Sequence, residues 1–277
     1  FRKFTPQFTK NFELIINKGS GIIIYLTNQE GRGIGLSNKI KAYNQNPSEI
    51  LNNKRINNEV LYLYNNVVGN LRIGKYDLAI NNLNKLIVKF KNYPFIFELY
   101  GDIYFAKGNF KKAIENYKRA IKILNNNSIG STDLINFSLV KSLLQTNEVN
   151  NYKQSIYILE QLVKTNPRWS YLWRLLAKAS GRINQKGISY IALAEEALTT
   201  KKLTNDHERI QFMIMRVLSR NPLEDEIIAL SSLPNKHKEK YSADPETAKE
   251  LVGVGNLEIP EELKPEVLAP WVSVGRA

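Results

Sequence analysis

With 277 residues and 43% apolar content, the chain can build one large or two ordinary domains, which excludes a disordered polymer. It contains no cysteine, which excludes disulfides and thiolate metal ligands, and no apolar run nears the roughly 20 residues of a bilayer span. The net charge of +13 is unevenly held: residues 1–200 carry 28 Lys and Arg against 13 Asp and Glu, residues 201–277 carry 11 against 13, and no basic cluster interleaves with aromatics, so nucleic acid is not an expected partner.

The N-terminal FRKFTPQFTK has no signal-peptide shape, and Phe1 in place of Met is what a processed or truncated chain would show. Freedom from cysteine suits a reducing cytoplasm. The apolar run Gly21 to Leu26 predicts a buried strand. Gly31, Gly33 and Gly35 then remove Cβ at alternate positions, so a tight turn can present backbone N–H groups beside Arg32, and Leu36 to Tyr43 has helical character. Strand, glycine turn and helix in that order can cradle a phosphate.

Residues 21–43, GIIIYLTNQEGRGIGLSNKIKAY, resemble GTP cyclohydrolase II of riboflavin synthesis, and the resemblance extends over residues 12–46. It implies a nucleotide site in which Glu30, Gly31 and Arg32 contact GTP and Tyr43 lies near it. The family opens the guanine ring with water activated on zinc held by three cysteines, and this chain has Arg2 and Phe4 where two of those ligands would stand. The later catalytic aspartate and arginine are also missing, because the sequence beyond Tyr43 has turned to repeat helices. Zinc and GTP are therefore expected only if the cyclohydrolase reading holds.

Asn46, Pro47 and Glu49 read as N-cap, N1 and N3 of the first helix. A 34-residue period follows: Gly74 with Gly108, Ala79 with Ala113, Leu83 with Tyr117, Leu63 with Phe97 and Leu86 with Ala120. This resembles the tetratricopeptide repeat, a helix-turn-helix unit. The best copy has Phe97, Tyr100, Gly101, Tyr104, Gly108, Ala113, Tyr117 and Ala120. A third copy, with Leu139, Leu143 and Leu144 and then Ser155, Leu159, Leu162 and Pro167, is expected to be offset by about eight extra residues. A fourth begins at Trp173, Leu176 and Ala177 and runs to Ala197. Such pairs stack to bury their apolar faces and leave a groove lined by the first helix of each pair. The resemblance places groove positions at Phe95, Glu98, Asp102 and Phe105, and in the preceding copy at Tyr64, Val68, Leu71 and Arg72. Core packing is an equal alternative for Phe95, Phe105 and Tyr64.

The run NPRWSYLWRLLAKASGRINQKGISYIALAEEAL, residues 166–198, resembles the repeat region of periplasmic zinc metalloproteases of the beta-barrel assembly-enhancing type, a likeness covering residues 50–203. Those proteases need HExxH, whereas His207 and His237 stand in no such motif, so no proteolysis is implied. From residue 204 the composition shifts: Asn falls from 28 in the first 200 residues to 4 in the last 77, and prolines rise from 4 to 6. Residues 207–226 predict a helix followed by an Asn221, Pro222, Glu224 cap, and Asp244 with Pro245 begin another ending near Gly253. Glu224, Glu226, Glu261 and Glu262 follow prolines or caps and read as first-turn charges. VLSRNPLEDE, ADPETAKELVG and LAPWVSVGRA resemble the end of a planctomycete domain of unknown function.

The expected architecture is all-α: tetratricopeptide-like hairpins at 47–203, a strand-turn-helix appendage at 1–46 and a helical tail at 204–277, the whole a composite or fusion of fragments. The expected function is non-catalytic binding of a protein or peptide segment in the repeat groove. The alternatives are a GTP cyclohydrolase II-like nucleotide-binding protein and a metalloprotease repeat region without its catalytic domain, which would place the chain in the periplasm.

Overall fold

The computed structural model describes residues 58–127, 131–253 and 264–277, within one compact unit that begins at Ile56. The strand expected at 21–26, the glycine turn and the helix start at 46–49 lie outside these residues. Among the described residues the chain is helical without strands. Its helices are α1 (Asn58–Arg72), α2 (Tyr76–Lys89), α3 (Pro94–Ala106), α4 (Phe110–Asn127), α5 (Asp133–Leu143), α6 (Val149–Thr165), α7 (Ser170–Arg182), α8 (Lys186–Thr199), α9 (Asp206–Leu218), α10 (Glu224–Ser231), α11 (Leu233–Ala243), α12 (Pro245–Val252) and α13 (Pro265–Arg276). The first eight form four antiparallel hairpins stacked in chain order, the tetratricopeptide-like solenoid expected from the 34-residue period.

The hairpin turns show how the sequence sets this architecture. The turn after each first helix contains a residue with left-handed backbone: Gly74 at φ 74°, Gly108 at 77°, Asn147 at 56° and Asn184 at 59°. Glycine meets no penalty there, and asparagine is among the few side chains that tolerate it. In three of the four turns the next N–H closes back onto the carbonyl five residues earlier: Lys75 to Asn70 and Asn109 to Tyr104 at 2.8 Å, Gln185 to Ser180 at 2.9 Å. These bonds satisfy carbonyls that the ending helix leaves without partners.

The left-handed positions also correct the expected offset of the third copy. Asn147 follows Gly108 by 39 residues, five beyond the period rather than eight. The Tyr152 N–H bonds to the Glu148 carbonyl as the Ala113 N–H bonds to that of Asn109, so Tyr152 is the structural counterpart of Ala113. The extra length precedes α5, where α4 runs on to Asn127.

Close approach within a pair depends on the small position of the repeat. A Cβ built on Gly101 of α3 would lie 2.5 Å from Cε1 of Tyr117 on α4. The Tyr117 ring is buried at 1% exposure, and its hydroxyl donates to Asp102 Oδ1 at 2.7 Å. Ring and glycine thus interlock, which is why α3 and α4 pack so tightly.

The compositional shift at residue 204 is not a break in packing. One hydrophobic core runs from Val140 through Leu172, Trp173 and Ala194 to Ile210, Met213, Leu268 and Trp271. Gly275 of α13 faces Leu193 of α8 and Met213 of α9, with 3.6 and 3.3 Å to a built Cβ. The tail begins as a further first helix: α9 opens on an Asn205 cap, whose side chain accepts from the Glu208 N–H at 2.9 Å, and ends on left-handed Ser219. The next helix start differs from the expected Asn221 cap. Its N-cap is Leu223, whose N–H donates to the Glu226 carboxylate at 2.8 Å, and Arg220 pairs with the same group. Those bonds hold the Glu226 carboxyl down to about 2. Asp244 caps α12 as its sequence implies, accepting from the Thr247 N–H at 3.1 Å.

Candidate peptide-binding groove

The left-handed residue of each turn supplies a common register along the first helices. Phe95, Glu98, Asp102 and Phe105 lie 13, 10, 6 and 3 residues before Gly108, and Tyr64, Val68 and Leu71 hold the corresponding places before Gly74. Tyr64 and Arg72 are exposed on α1, while Val68 and Leu71 are half-buried, Leu71 against the core. Of the predicted positions on α3, Glu98 is buried and Asp102 is engaged by Tyr117. Phe95 is half-buried with its ring 5.6 Å from that of Tyr93. Phe105 is half-buried too, its ring 5.6 Å from Phe110.

The same register carried forward from Asn147 and Asn184 finds residues that the sequence reading did not single out: Phe137 and Lys141 on α5, Tyr171, Arg174 and Lys178 on α7. The structure joins most of these with Phe105 into one ribbon. Lys141 Nζ lies over the Phe105 ring at 5.1 Å and over Phe137 at 5.3 Å. Phe137 meets Trp169 at 4.8 Å and Tyr171 edge-on at 5.8 Å between centroids. The Arg174 guanidinium lies 5.3 Å from the Tyr171 ring centroid. Rings and cations thus follow one another in contact from α3 to α5 to α7, each supporting the next by cation–π and edge contacts.

At its far end the ribbon crosses into α9 through one carboxylate. Glu196 of α8, 1% exposed, accepts from Arg174 Nε at 2.6 Å and from Arg216 Nε of α9 at 3.2 Å, both on Oε1. Arg216 in turn lies over the Phe212 ring at 4.7 Å. Both arginine side chains stay partly open, at 39% and 37%. Beside this site Glu195 is fully buried, with both oxygens unpartnered among the described residues. Burial in apolar surroundings pushes its carboxyl up to about 8.

The nucleotide-contact residues Glu30, Gly31, Arg32 and Tyr43 lie outside the described residues. Among the described residues no group of three or more His, Asp or Glu could hold a metal ion, and no helix is long and apolar enough to cross a membrane. His207 lies exposed on α9 with Nε2 at 3.0 Å from Gln211 Nε2. His237 is half-buried on α11 with its ring stacked 5.8 Å from Tyr241.

Residues 2–62 match the GTP cyclohydrolase II family, and residues 101–128 match the tetratricopeptide repeat. Over 47 residues the chain is 49% identical to the riboflavin biosynthesis protein RibBA of Aquifex aeolicus, which is 16% of this chain and 12% of that protein. Over 38 residues it is 60% identical to RibBA of Cytophaga hutchinsonii, 14% of this chain and 9% of that protein, and 58% identical to GTP cyclohydrolase-2 of Acinetobacter baumannii, 14% and 18%. The chain therefore spans less than a fifth of the length of each of these relatives. Among solved structures, a MamA RS-1 ArsTM double mutant superposes with TM-score 0.50 at 18% identity, covering 69% of this chain and 99% of that one, a likeness of fold.

Proposed function

We propose that this chain is a non-catalytic helical-repeat module that holds an extended protein or peptide segment along the first helices of its hairpins. The observation that carries this reading is the unbroken ribbon from Phe105 through Lys141, Phe137 and Tyr171 to Arg174. Tyr64, Val68, Leu71, Arg72, Phe95, Glu98, Asp102 and Phe105 extend the surface toward α1, with Glu98 and Asp102 shaping it from within. In sequence the module comprises residues 47–203 and a tail at 204–277 that shares its core. Display selection of random peptides on the full chain tests the reading. Peptides should be enriched, and the double variant Phe137→Ala, Tyr171→Ala should lose them while keeping its helical circular dichroism. Failure to enrich any sequence would refute it.

A second reading is favoured by the match over residues 2–62: the segment at 1–46 retains a guanine-nucleotide site built from Glu30, Gly31, Arg32 and Tyr43. The residues do not fit the zinc that cyclohydrolase chemistry needs, because no cysteine is present to supply thiolate ligands. This reading therefore assigns binding and no ring opening. Calorimetric titration with GTP, with and without zinc, and assay for formate release separate it from the first.

A further inference from the structure

We propose that the Arg174–Glu196–Arg216 cluster is a seat for side-chain carboxylates, and that the segment held in the groove is acidic, with Asp or Glu beside apolar residues. The inference rests on the peptide-binding reading and specifies its ligand. It follows from how the two arginines are held. Each spends its Nε on the same buried Glu196 oxygen, and each guanidinium is braced over an aromatic ring, Tyr171 for Arg174 and Phe212 for Arg216. Among the described residues their Nη groups donate to nothing further.

Two donor edges are thus fixed in place at little remaining entropic cost and left open to solvent. Two guanidiniums against one carboxylate leave a surplus positive charge, and Lys178 stands exposed one turn beyond Arg174 on α7. A carboxylate entering here would be met by paired N–H donors, the strongest kind of protein hydrogen bond. Tyr171, exposed on α7, and Phe212, half-buried on α9, meanwhile offer ring surface to its apolar neighbours. The cationic Lys141 lies farther along the same ribbon. First helices spaced about 9–10 Å apart would be spanned by about three extended residues each, so acidic positions recurring at that interval would meet successive cations.

The peptides selected on the full chain decide the matter. They should be rich in Asp and Glu next to aliphatic or aromatic residues, and their amide isosteres, with Gln for Glu and Asn for Asp, should bind about tenfold more weakly. Arg174→Gln and Arg216→Gln should each weaken the acidic peptides about tenfold and flatten the salt dependence, without changing affinity for the amide isosteres. Each variant leaves one arginine on Glu196, so the carboxylate stays paired, and an unchanged helical circular dichroism spectrum would confirm that the fold is kept. Lys153→Gln, the same charge change on the exposed face of α6, should have no effect. Selected peptides with no acidic enrichment, or arginine variants that bind them like Lys153→Gln, would overturn this inference while leaving peptide binding intact. A selection that enriches nothing would remove both.

Discussion

Replacing Gly101 by alanine tests the interlock at the centre of the best-formed repeat. A methyl group there would stand 2.5, 2.6 and 2.8 Å from three ring atoms of Tyr117, about 1 Å inside ordinary carbon–carbon contact. The ring cannot swing aside cheaply, since it is buried and its hydroxyl is bonded to Asp102. Overpacking of this kind costs about 1–3 kcal/mol, and here the upper end applies because the obstacle is a rigid ring. Alanine recovers about 1 kcal/mol of helix propensity, so the net loss should be near 2 kcal/mol. Urea denaturation followed by circular dichroism should show a midpoint lower by about 0.5–1 M. The decisive measurement is the double-mutant cycle with Tyr117→Leu. Once the ring is gone, Gly101→Ala should become neutral or mildly stabilising. A cycle with no coupling, or a single variant as stable as the parent, would refute the interlock.

Gly69 supplies the contrasting case, being exposed on α1 with nothing within 4 Å of a built Cβ, so Gly69→Ala should stabilise by up to about 1 kcal/mol in the same denaturation assay. Glu195 should make stability depend on pH. Its folded carboxyl binds a proton more tightly than the unfolded one, so its contribution is whole below about pH 4.5 and is lost as pH rises toward 8, by up to about 5 kcal/mol. Glu195→Gln should remove that decline, and parallel pH profiles for the two proteins would show that Glu195 is not its source. Glu196→Gln leaves two arginines without their shared carboxylate and should lower stability by about 1–3 kcal/mol, discounted because both guanidiniums are partly solvated. Removing residues 204–277 should broaden thermal unfolding, since it uncovers the face of α8 that Met213 and Gly275 close.

The hairpin architecture was legible in the sequence where its signals were strong. Gly74 and Gly108, with the small and aromatic positions around them, marked two units by an unambiguous period. The groove was legible only that far. In the later units asparagine takes the left-handed position, and in a chain with 28 asparagines in its first 200 residues Asn147 and Asn184 carry no distinguishing mark. Without those anchors the sequence aligns the third copy through Ser155, which is buried and bonds its hydroxyl to the Asn151 carbonyl but sits one turn beyond the true counterpart of Ala113. That register passes over Phe137 and Lys141 as candidate groove positions. Arg174 and Arg216 were hidden for a different reason: their role depends on Glu196, which the chain brings between them only when α7, α8 and α9 pack together.

The composition break at residue 204 shows how a sequence boundary and an energetic boundary can differ. Lysine and asparagine counts report mostly on solvated positions, and those can drift without disturbing what lies beneath. The buried residues do not change character there: Leu193, Ala194 and Ala197 before the boundary pack into one core with Ile210, Met213 and Ile214 after it. The ion cluster crosses the same line, since Arg174 and Glu196 precede residue 204 and Arg216 follows it. If the tail had been joined to a finished solenoid, α8 would be expected to carry a polar outer face as a capping helix does. Instead it buries Ile188, Ile191, Ala192, Leu193 and two glutamates, so the tail serves as the cap. Whatever the history of the two segments, the carboxylate seat exists only where they meet, and a groove that ends on Arg216 needs both.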